Sequence, residues 1–228
     1  MKNSKAAVDV ITSILIVMIA LGLTATAYTW GLPLIQKQQD TAVVGRVASY
    51  FDQNNQNSLP SSIEFIANNG GEQTFSMDVT GIWVINPCST GELPSCNPSP
   101  SADFRENNSI NFTFFSKVSN IATQAGFVSL TPGATCPPSS GILGKDKSSV
   151  VCAKAETIHD GYQITYKVWF RELTEPATAK GYKIDLLKHE TSSYKSTGKK
   201  IKISRQSINQ VSIAGKTLII PEMKILLE

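Results

Sequence analysis

Side chains able to carry out acid–base or metal chemistry are few and scattered along this chain of 228 residues. The two histidines each precede a carboxylate, in His159-Asp160 and His189-Glu190, but no further ligand-type residue stands near them at a spacing typical of a metal site. No Gly-x-Ser-x-Gly elbow for a serine nucleophile occurs. We therefore predict exposed histidines at strand ends, no enzymatic activity, no cofactor and no metal.

Two further groups of residues are weak candidates for ligand chemistry. The segment Gly141-Ile142-Leu143-Gly144-Lys145 contains the glycines and lysine of a phosphate-binding loop, but its glycines are three apart and no helix is predicted after it. Glu172, Glu175 and Glu190 could pair on a surface, yet nothing in the sequence brings them together. Neither group predicts nucleotide binding or catalysis.

Four cysteines lie in or beside two segments rich in Pro, Ser and Gly, at Cys88, Cys96, Cys136 and Cys152. Their spacings contain no Cys-x-x-Cys pair, so zinc is a weaker interpretation than disulfide bonds. Four cysteines allow three connectivities. The pairs Cys88 with Cys96 and Cys136 with Cys152 close the shortest loops.

Basic residues are concentrated between Lys183 and Arg205, where seven of them accompany only Asp185 and Glu190. On alternating strands they would form a stripe able to contact anionic glycans, a neighbouring subunit or DNA. The alternative is a solvated sheet edge that lysines protect from pairing. Across the whole chain the net charge is only +3, so no nucleic-acid partner is expected.

The N-terminal segment has the composition of a membrane-spanning helix. No charged side chain occurs between Val10 and Gln36, and about 21 apolar residues at roughly 1.5 Å each reach the thickness of a hydrocarbon core. Lys2 and Lys5 precede the run and Trp30 closes it, which predicts a cytoplasmic N-terminus and an external C-terminus. A cleaved secretory signal is disfavoured because its apolar region would be shorter. Judged by hydropathy alone, this segment would be a simple single-pass membrane anchor.

Small residues recur along this apolar run. Ala20, Gly22, Ala27 and Gly31 would allow neighbouring helices to approach closely, and Ala27 with Gly31 has the small-xxx-small spacing. A helix that is apolar on every face must be surrounded by lipid or by other such helices. We therefore predict that these four residues are helix-packing positions.

The junction Lys5-Ala6-Ala7-Val8-Asp9 stands directly before the uncharged run, which closes with Tyr28-Thr29-Trp30-Gly31-Leu32-Pro33-Leu34-Ile35. A basic residue, a small one and an apolar pair at the start of a long hydrophobic helix resemble the class III signal of archaeal type IV pilins and archaellins. The resemblance covers the first 35 to 50 residues or so.

This resemblance implies a processing step and a set of partners. In that family the prepilin peptidase cuts in front of the helix, which implies cleavage between Ala6 and Ala7. Asp9 would then take the role of the glutamate near the start of bacterial type IV pilins, at a different position, and pair with a neighbouring subunit's α-amino group. The implied partners are copies of the chain or related pilins, the membrane, the peptidase and the assembly machinery.

Beyond Pro33, which should kink or reset the helix, an amphipathic stretch follows. Val44, Val47, Ala48 and Phe51 fall on one helical face and should pack against the following domain. We predict a cleaved signal at 1–6, a hydrophobic and then amphipathic helix at 7–58, ended by asparagines and Pro60, and a β-rich extracellular domain at 61–228.

The remaining sequence predicts an α+β protein whose external domain is a mostly antiparallel, sandwich-like β structure. Short runs with period-two alternation are separated by Gly, Asn and Pro turn residues. Seven or so strands are expected, at residues 73–79, 82–85, 109–118, 162–173, 182–189, 199–206 and 216–227.

Two Asn-x-Ser/Thr sequons place candidate N-glycans at Asn107 and Asn111, and the resemblance implies glycans on the exterior of the filament. The predicted function is a structural subunit, major or minor, of an archaeal surface filament, first in the membrane and then on the cell surface. The alternative is a membrane-tethered module that never polymerises and binds envelope material or anchors a filament.

Overall fold

The computed structural model describes residues 3–87, 108–118, 121–213 and 215–228. The chain forms two compact units, Met1–Ala42 and Val43–Glu228. A long N-terminal helix is followed by two mostly antiparallel β-sheets, so the predicted α+β class and sandwich-like domain are confirmed.

The first helix, α1, spans Asn3–Phe51 and contains Pro33 in its interior. Pro33 has no N–H to donate to the carbonyl of Thr29, and the sequence predicted that it would kink or reset the helix. The helix instead continues through Pro33 as a single element. The hydroxyls of Thr24 and Thr26 donate to the carbonyls of Ala20 and Gly22, both at 2.8 Å. These polar side chains are therefore satisfied within the helix itself.

A second helix, α2 (Leu59–Asn69), was not predicted by the sequence pattern. Its N-cap is Ser58, whose side chain accepts a hydrogen bond from the backbone N–H of Ser61, and Pro60 occupies the first turn. Proline is favoured there because the first helical N–H groups have no intrahelical partner. The expectation that Pro60 closes α1 was wrong: α1 ends at Phe51, and Pro60 helps to begin α2.

Within the described residues, thirteen strands form the β domain. Their bounds are β1 (Glu72–Ser76), β2 (Ile82–Asn86), β3 (Ser109–Ser116), β4 (Val128–Ser129), β5 (Gly141–Ile142), β6 (Ser149–Ile158), β7 (Gly161–Phe170), β8 (Leu173–Glu175), β9 (Lys180–Tyr182), β10 (Asp185–Lys188), β11 (Lys195–Ser196), β12 (Lys200–Ile213) and β13 (Lys216–Leu227). One sheet has the order β1-β12-β13-β9-β8-β5, with β10 also pairing β13. The other has the order β11-β2-β3-β7-β6-β4.

The predicted strands correspond to β1, β2, β3, β7, β12 and β13, whereas the short strands β4, β5, β8 and β11 were not predicted. Strand β6 was missed because both of its faces are covered: Val151 lies in the main core, whereas Val150 and Cys152 lie in a second, smaller cluster. Burial on both sides removes the period-two pattern. The single strand expected at 182–189 is instead two, β9 and β10, and both pair parallel with β13.

The end of α1 is a core element of the β domain. Val47 and Phe51 are fully buried, and Val44 and Ala48 pack partly buried beside them, as the predicted apolar stripe requires. The Phe51 ring stacks on Tyr166 with 4.8 Å between ring centroids. The aromatic core of the domain is therefore built around the last turn of α1.

Asn108 links the two sheets through its side chain. Its amide donates to the carbonyls of Phe170 at 2.9 Å and Ile184 at 2.7 Å, and its Oδ1 accepts from the N–H of Leu186 at 2.9 Å. Its backbone φ is 59°, a conformation that asparagine tolerates better than most residues. A single buried amide therefore joins the start of β3 to the end of β7 and to β10.

Candidate functional site

The apolar surface of α1 is the main candidate for a functional feature among the described residues. From Ile11 to Trp30 every residue is exposed, and Trp30 is 80% exposed. Among the described residues one helix is long and apolar enough to cross a membrane, and it is this one. Such a helix fits a membrane anchor or a signal sequence.

The small residues of α1 lie on two opposite sides of the helix. At about 100° per residue, Ala20, Ala27 and Gly31 fall within about 40° of one another, whereas Gly22 lies on the far side. A side-chain Cβ placed at Gly22 or Gly31 would meet nothing within 4 Å. The helix therefore offers two faces of low bulk, and no described part of the chain fills the space at Gly22 or Gly31.

The predicted processing junction lies at the start of α1. Lys5, Ala6 and Ala7 are helical in their backbone, within the first turns after Asn3. The N–H groups of a first helical turn have no intrahelical partners, and helix ends fray readily. The geometry is thus compatible with local opening, and cleavage between Ala6 and Ala7 stays a prediction.

One of the two shortest-loop cysteine pairs is present as a disulfide bond, between Cys136 and Cys152. Cys152 is fully buried on β6 beside Val150 and Trp169, so the bond fastens the preceding loop to the outer face of the sheet. The other predicted pair, Cys88 with Cys96, lies outside the described residues.

The same cluster contains a buried lysine. Lys167 on β7 is 2% exposed, and its ammonium lies 4.0 Å from the ring centroid of Trp169 and 5.7 Å from that of Phe127. At these distances the ammonium is attracted by the electron-rich faces of the two rings. Lys167 is therefore part of the packing beneath the disulfide-bonded loop.

We expect no free thiol at Cys136 or Cys152 in the native protein, because both sulfurs are joined. Alkylation of the unfolded chain, with and without prior reduction, followed by mass spectrometry of peptides containing these residues, is the measurement. Label should appear on both only after reduction. Label on either residue without reduction would contradict the disulfide.

The predicted basic stripe does not form as a continuous surface. Lys183 is buried and its ammonium lies 3.0 Å from Asp185, and Lys202 pairs with Glu72 at 2.9 Å. Arg205 donates to the carbonyl of Ala67 at 3.0 Å. Lys188 donates to backbone carbonyls of its own turn. The exposed remainder is Lys195, Lys199 and Lys200.

The candidate acid–base residues have separate partners in the structure. His159 is exposed in the turn between β6 and β7, and His189 contacts Thr191 through its Nδ1 at 2.9 Å. Glu172 pairs with Lys216, Glu175 with Thr178, and Glu190 with Lys224. Among the described residues no three His, Cys, Asp or Glu side chains gather as a metal site would require.

One partly buried and one buried group, Tyr182 and Asp185, have displaced pKa values for structural reasons. Burial raises the pKa of Tyr182 to about 12, and the nearby Glu64 carboxylate adds to the rise. Burial also raises the pKa of Asp185, against the opposing effect of the Lys183 ammonium. Tyr182 donates to Asn68 Oδ1 at 2.9 Å, so it fastens α2 to the sheet.

A cleft of about 620 Å³ lies beside the last turns of α1. Two of the cationic groups that line it are engaged within the chain: Lys147 donates to the Gln53 carbonyl at 2.6 Å, and Arg171 donates to the Lys147 carbonyl at 3.1 Å. The Arg171 guanidinium also lies 4.0 Å from Asp146. These contacts hold the loop that contains Gly141 and Lys145 against the end of α1.

Of the two predicted glycan acceptors, only Asn111 lies among the described residues. Asn107 lies outside the described residues. Asn111 stands in the middle of β3, between Val84 on β2 and Lys167 on β7, and is only partly exposed. Its Oδ1 is buried and has no hydrogen-bond partner among the described residues. Glycosylation at both sites stays a prediction.

No protein-family model, no curated protein and no solved structure matches the chain. The function must therefore be inferred from the chain's own residues and their geometry.

Proposed function

We propose that this protein is a pilin-like subunit, major or minor, of an archaeal-type surface filament. In this proposal the apolar part of α1 is inserted in the membrane before assembly and later packs against the same helix of other subunits. The observation that carries the proposal is the uniformly exposed, mostly apolar surface between Ile11 and Trp30, in a helix whose last turn is built into the core of a β domain.

The surface of α1 supports both stages of this pathway. A helix apolar on all sides is stable in lipid, because its backbone groups are bonded internally and its side chains need no water. The same surface is satisfied when identical helices replace lipid. The low-bulk faces at Gly22 and at Gly31 suit packing against neighbours on more than one side, as a filament core requires.

The construction of the β domain supports its role as the displayed part. Phe51 and Val47 belong to its core, so the domain incorporates the end of the helix instead of following a separate linker. The Cys136–Cys152 disulfide suits an oxidising location outside the cytoplasm. The cationic Lys2 and Lys5 favour a cytoplasmic N-terminus, which would put this domain outside.

Processing of the N-terminus is the first test. We expect surface filaments sheared from cells to contain the chain beginning at Ala7, six residues shorter than the full sequence. Lys5→Gln should leave the chain unprocessed and absent from filaments, because the resemblance places the basic residue in the recognition sequence. Lys2→Gln removes the same charge farther from the junction and should be processed normally. N-terminal sequencing and intact mass are the measurements.

The outcomes separate the two candidate functions. A chain that keeps Met1, stays in the membrane and never enters filaments would favour the membrane-tethered, non-polymerising module. A chain that begins beyond Tyr28 would have lost its helix, which would contradict both. Equal processing of the Lys5 and Lys2 variants would contradict the proposed recognition sequence.

A further inference from the structure

Among the described residues, the second half of β12, Gln206–Ile213, has one unpaired edge. On one side β12 pairs with β13 along its whole length, from Ile201 to Ile213. On the other side β1 covers only Lys200–Ser204, and the last contact is the N–H of Arg205 donating to the Gly71 carbonyl at 3.2 Å. Beyond this point no described strand covers Gln206–Ile213.

The backbone groups that point to this edge can be identified from the neighbouring strand. Gln210 and Ser212 lie opposite Ile219 and Thr217 of β13. The Ile219 carbonyl accepts from Lys183 and the Thr217 N–H donates to Ala179, so both point away from β12.

In an antiparallel ladder such pairs exchange no hydrogen bonds, and both members direct their N–H and C=O outward. Ile208, opposite Pro221, continues the alternation, since proline has no N–H to donate. The N–H and C=O groups of Ile208, Gln210 and Ser212 therefore face the open edge.

This edge lacks the usual protection against pairing. Natural sheets shield open edges with lysine, proline or inward-pointing charge, but the segment Gln-Ser-Ile-Asn-Gln-Val-Ser-Ile at 206–213 contains none of these. The bulge between Arg205 and Ser207 lies at the start of this segment, before the three residues whose backbone groups face the edge. Ile208 is 53% exposed, and Ile219 on the same face of the hairpin is 43% exposed.

Side-chain hydrogen bonds also hold this segment of β12 in an extended conformation. Glu222 on β13 accepts hydrogen bonds from Ser207 at 2.5 Å and from the Asn209 amide at 2.8 Å. These two residues lie on the face opposite Ile208, so their contacts leave the edge free. Because the strand is already ordered, a partner strand would meet little cost in fixing it.

We propose that this edge pairs with the same edge of a second copy of the chain, as two antiparallel β12 strands related by a two-fold axis at Gln210. The second copy is favoured over other partners because the segment is uncharged and self-complementary. With Gln210 opposite its counterpart, Ile208 lies opposite Ser212 of the partner strand, and every outward N–H and C=O of the three residues finds a partner. The contact goes beyond filament assembly through α1 and does not depend on it.

Charge substitutions at Gln210 test the pairing in the full chain purified in detergent. Two differently tagged copies are mixed and recovery of one with the other is measured. The wild-type pair should co-purify. Gln210→Lys mixed with itself, and Gln210→Glu mixed with itself, should lose the association because like charges would stand directly opposite. A Lys variant mixed with a Glu variant should regain it.

The matched mixtures share an identical α1, so association through the helix would give equal recovery in all of them. That result, or a wild-type pair that does not co-purify, would overturn the proposal. Gln210 is exposed and its N–H points outward, so these variants leave the fold intact. Filament formation is not the readout, and failure here would leave the proposed function standing.

Cysteine substitution tests the register. Gln210→Cys should form a disulfide-linked dimer, because directly opposite residues have Cα atoms about 5.5 Å apart, within disulfide reach. Ile208→Cys is the matched control: in this register two such cysteines are four residues out of step, about 13 Å apart, and should not link. Equal linking at both positions would contradict the two-fold register.

Discussion

Phe51→Ala is expected to destabilise the β domain by about 3 to 5 kcal/mol, which is the usual cost of removing a buried phenylalanine. Phe51 is 1% exposed and is surrounded by aromatic rings, with Tyr166 at 4.8 Å, Trp83 at 6.1 Å and Phe112 at 6.2 Å between ring centroids. Neighbours from the rigid sheet cannot collapse fully into the space left by the ring, so a cavity adds to the lost burial.

The measurement is urea unfolding of the full chain in detergent, followed by near-ultraviolet circular dichroism of the aromatic core. Phe65→Ala is the matched control: Phe65 is 62% exposed on α2, and its removal should change the free energy of unfolding by about 0.5 kcal/mol or less. Insertion of α1 into the membrane should be the same in both variants. Similar losses for the two phenylalanines would show that the end of α1 is not a core element.

Gly31→Leu is expected to remove the protein from surface filaments while leaving its amount in the membrane unchanged. Leucine is a better helix former than glycine and is favourable in a membrane segment. A Cβ at this position meets nothing within the chain, so an added side chain disturbs only what packs against α1 from outside. Bulk on a face where helices approach closely would hold them apart.

Gly22→Leu makes the same change on the opposite face and should have the same effect, because a helix inside a filament has neighbours on several sides. Met18→Leu is the control: Met18 is 69% exposed and the exchange nearly conserves volume, so filaments should persist. Filament yield after shearing, compared with membrane content by immunoblot, is the measurement. Normal filaments from both glycine variants would exclude close packing at these faces.

The sequence alone was sufficient for features that depend on local periodicity. An uncharged run of membrane length, the stripe that contains Val47 and Phe51, and strands with one buried face all follow from side-chain spacing. The disulfide between Cys136 and Cys152 was among the expected pairs because it closes a short loop. These features need no knowledge of what lies across the core.

Other features depend on contacts between residues far apart in the chain. Pro60 has the appearance of a helix terminator in the sequence, but in the structure it lies in the first turn of a new helix capped by Ser58. Strand β6 lacks alternation of polar and apolar residues because a loop covers its outer face. Basic residues that suggested one stripe are separated by their partners, as when Asp185 holds Lys183 below the surface. The hydrophobic periodicity and the composition of a segment do not specify which distant residues will contact it.

At the open edge of β12, too, the sequence predicts one part of the surface and the tertiary structure decides the rest. Alternation predicts a strand there, but whether its second edge is covered depends on where β1 ends and on how β13 directs its hydrogen bonds. Backbone pairing across a sheet is set by register, and one residue of slip would turn the free N–H groups toward the opposite neighbour. Local sequence therefore predicts the strand, and the three-dimensional pairing of the sheet shows which of its edges is open.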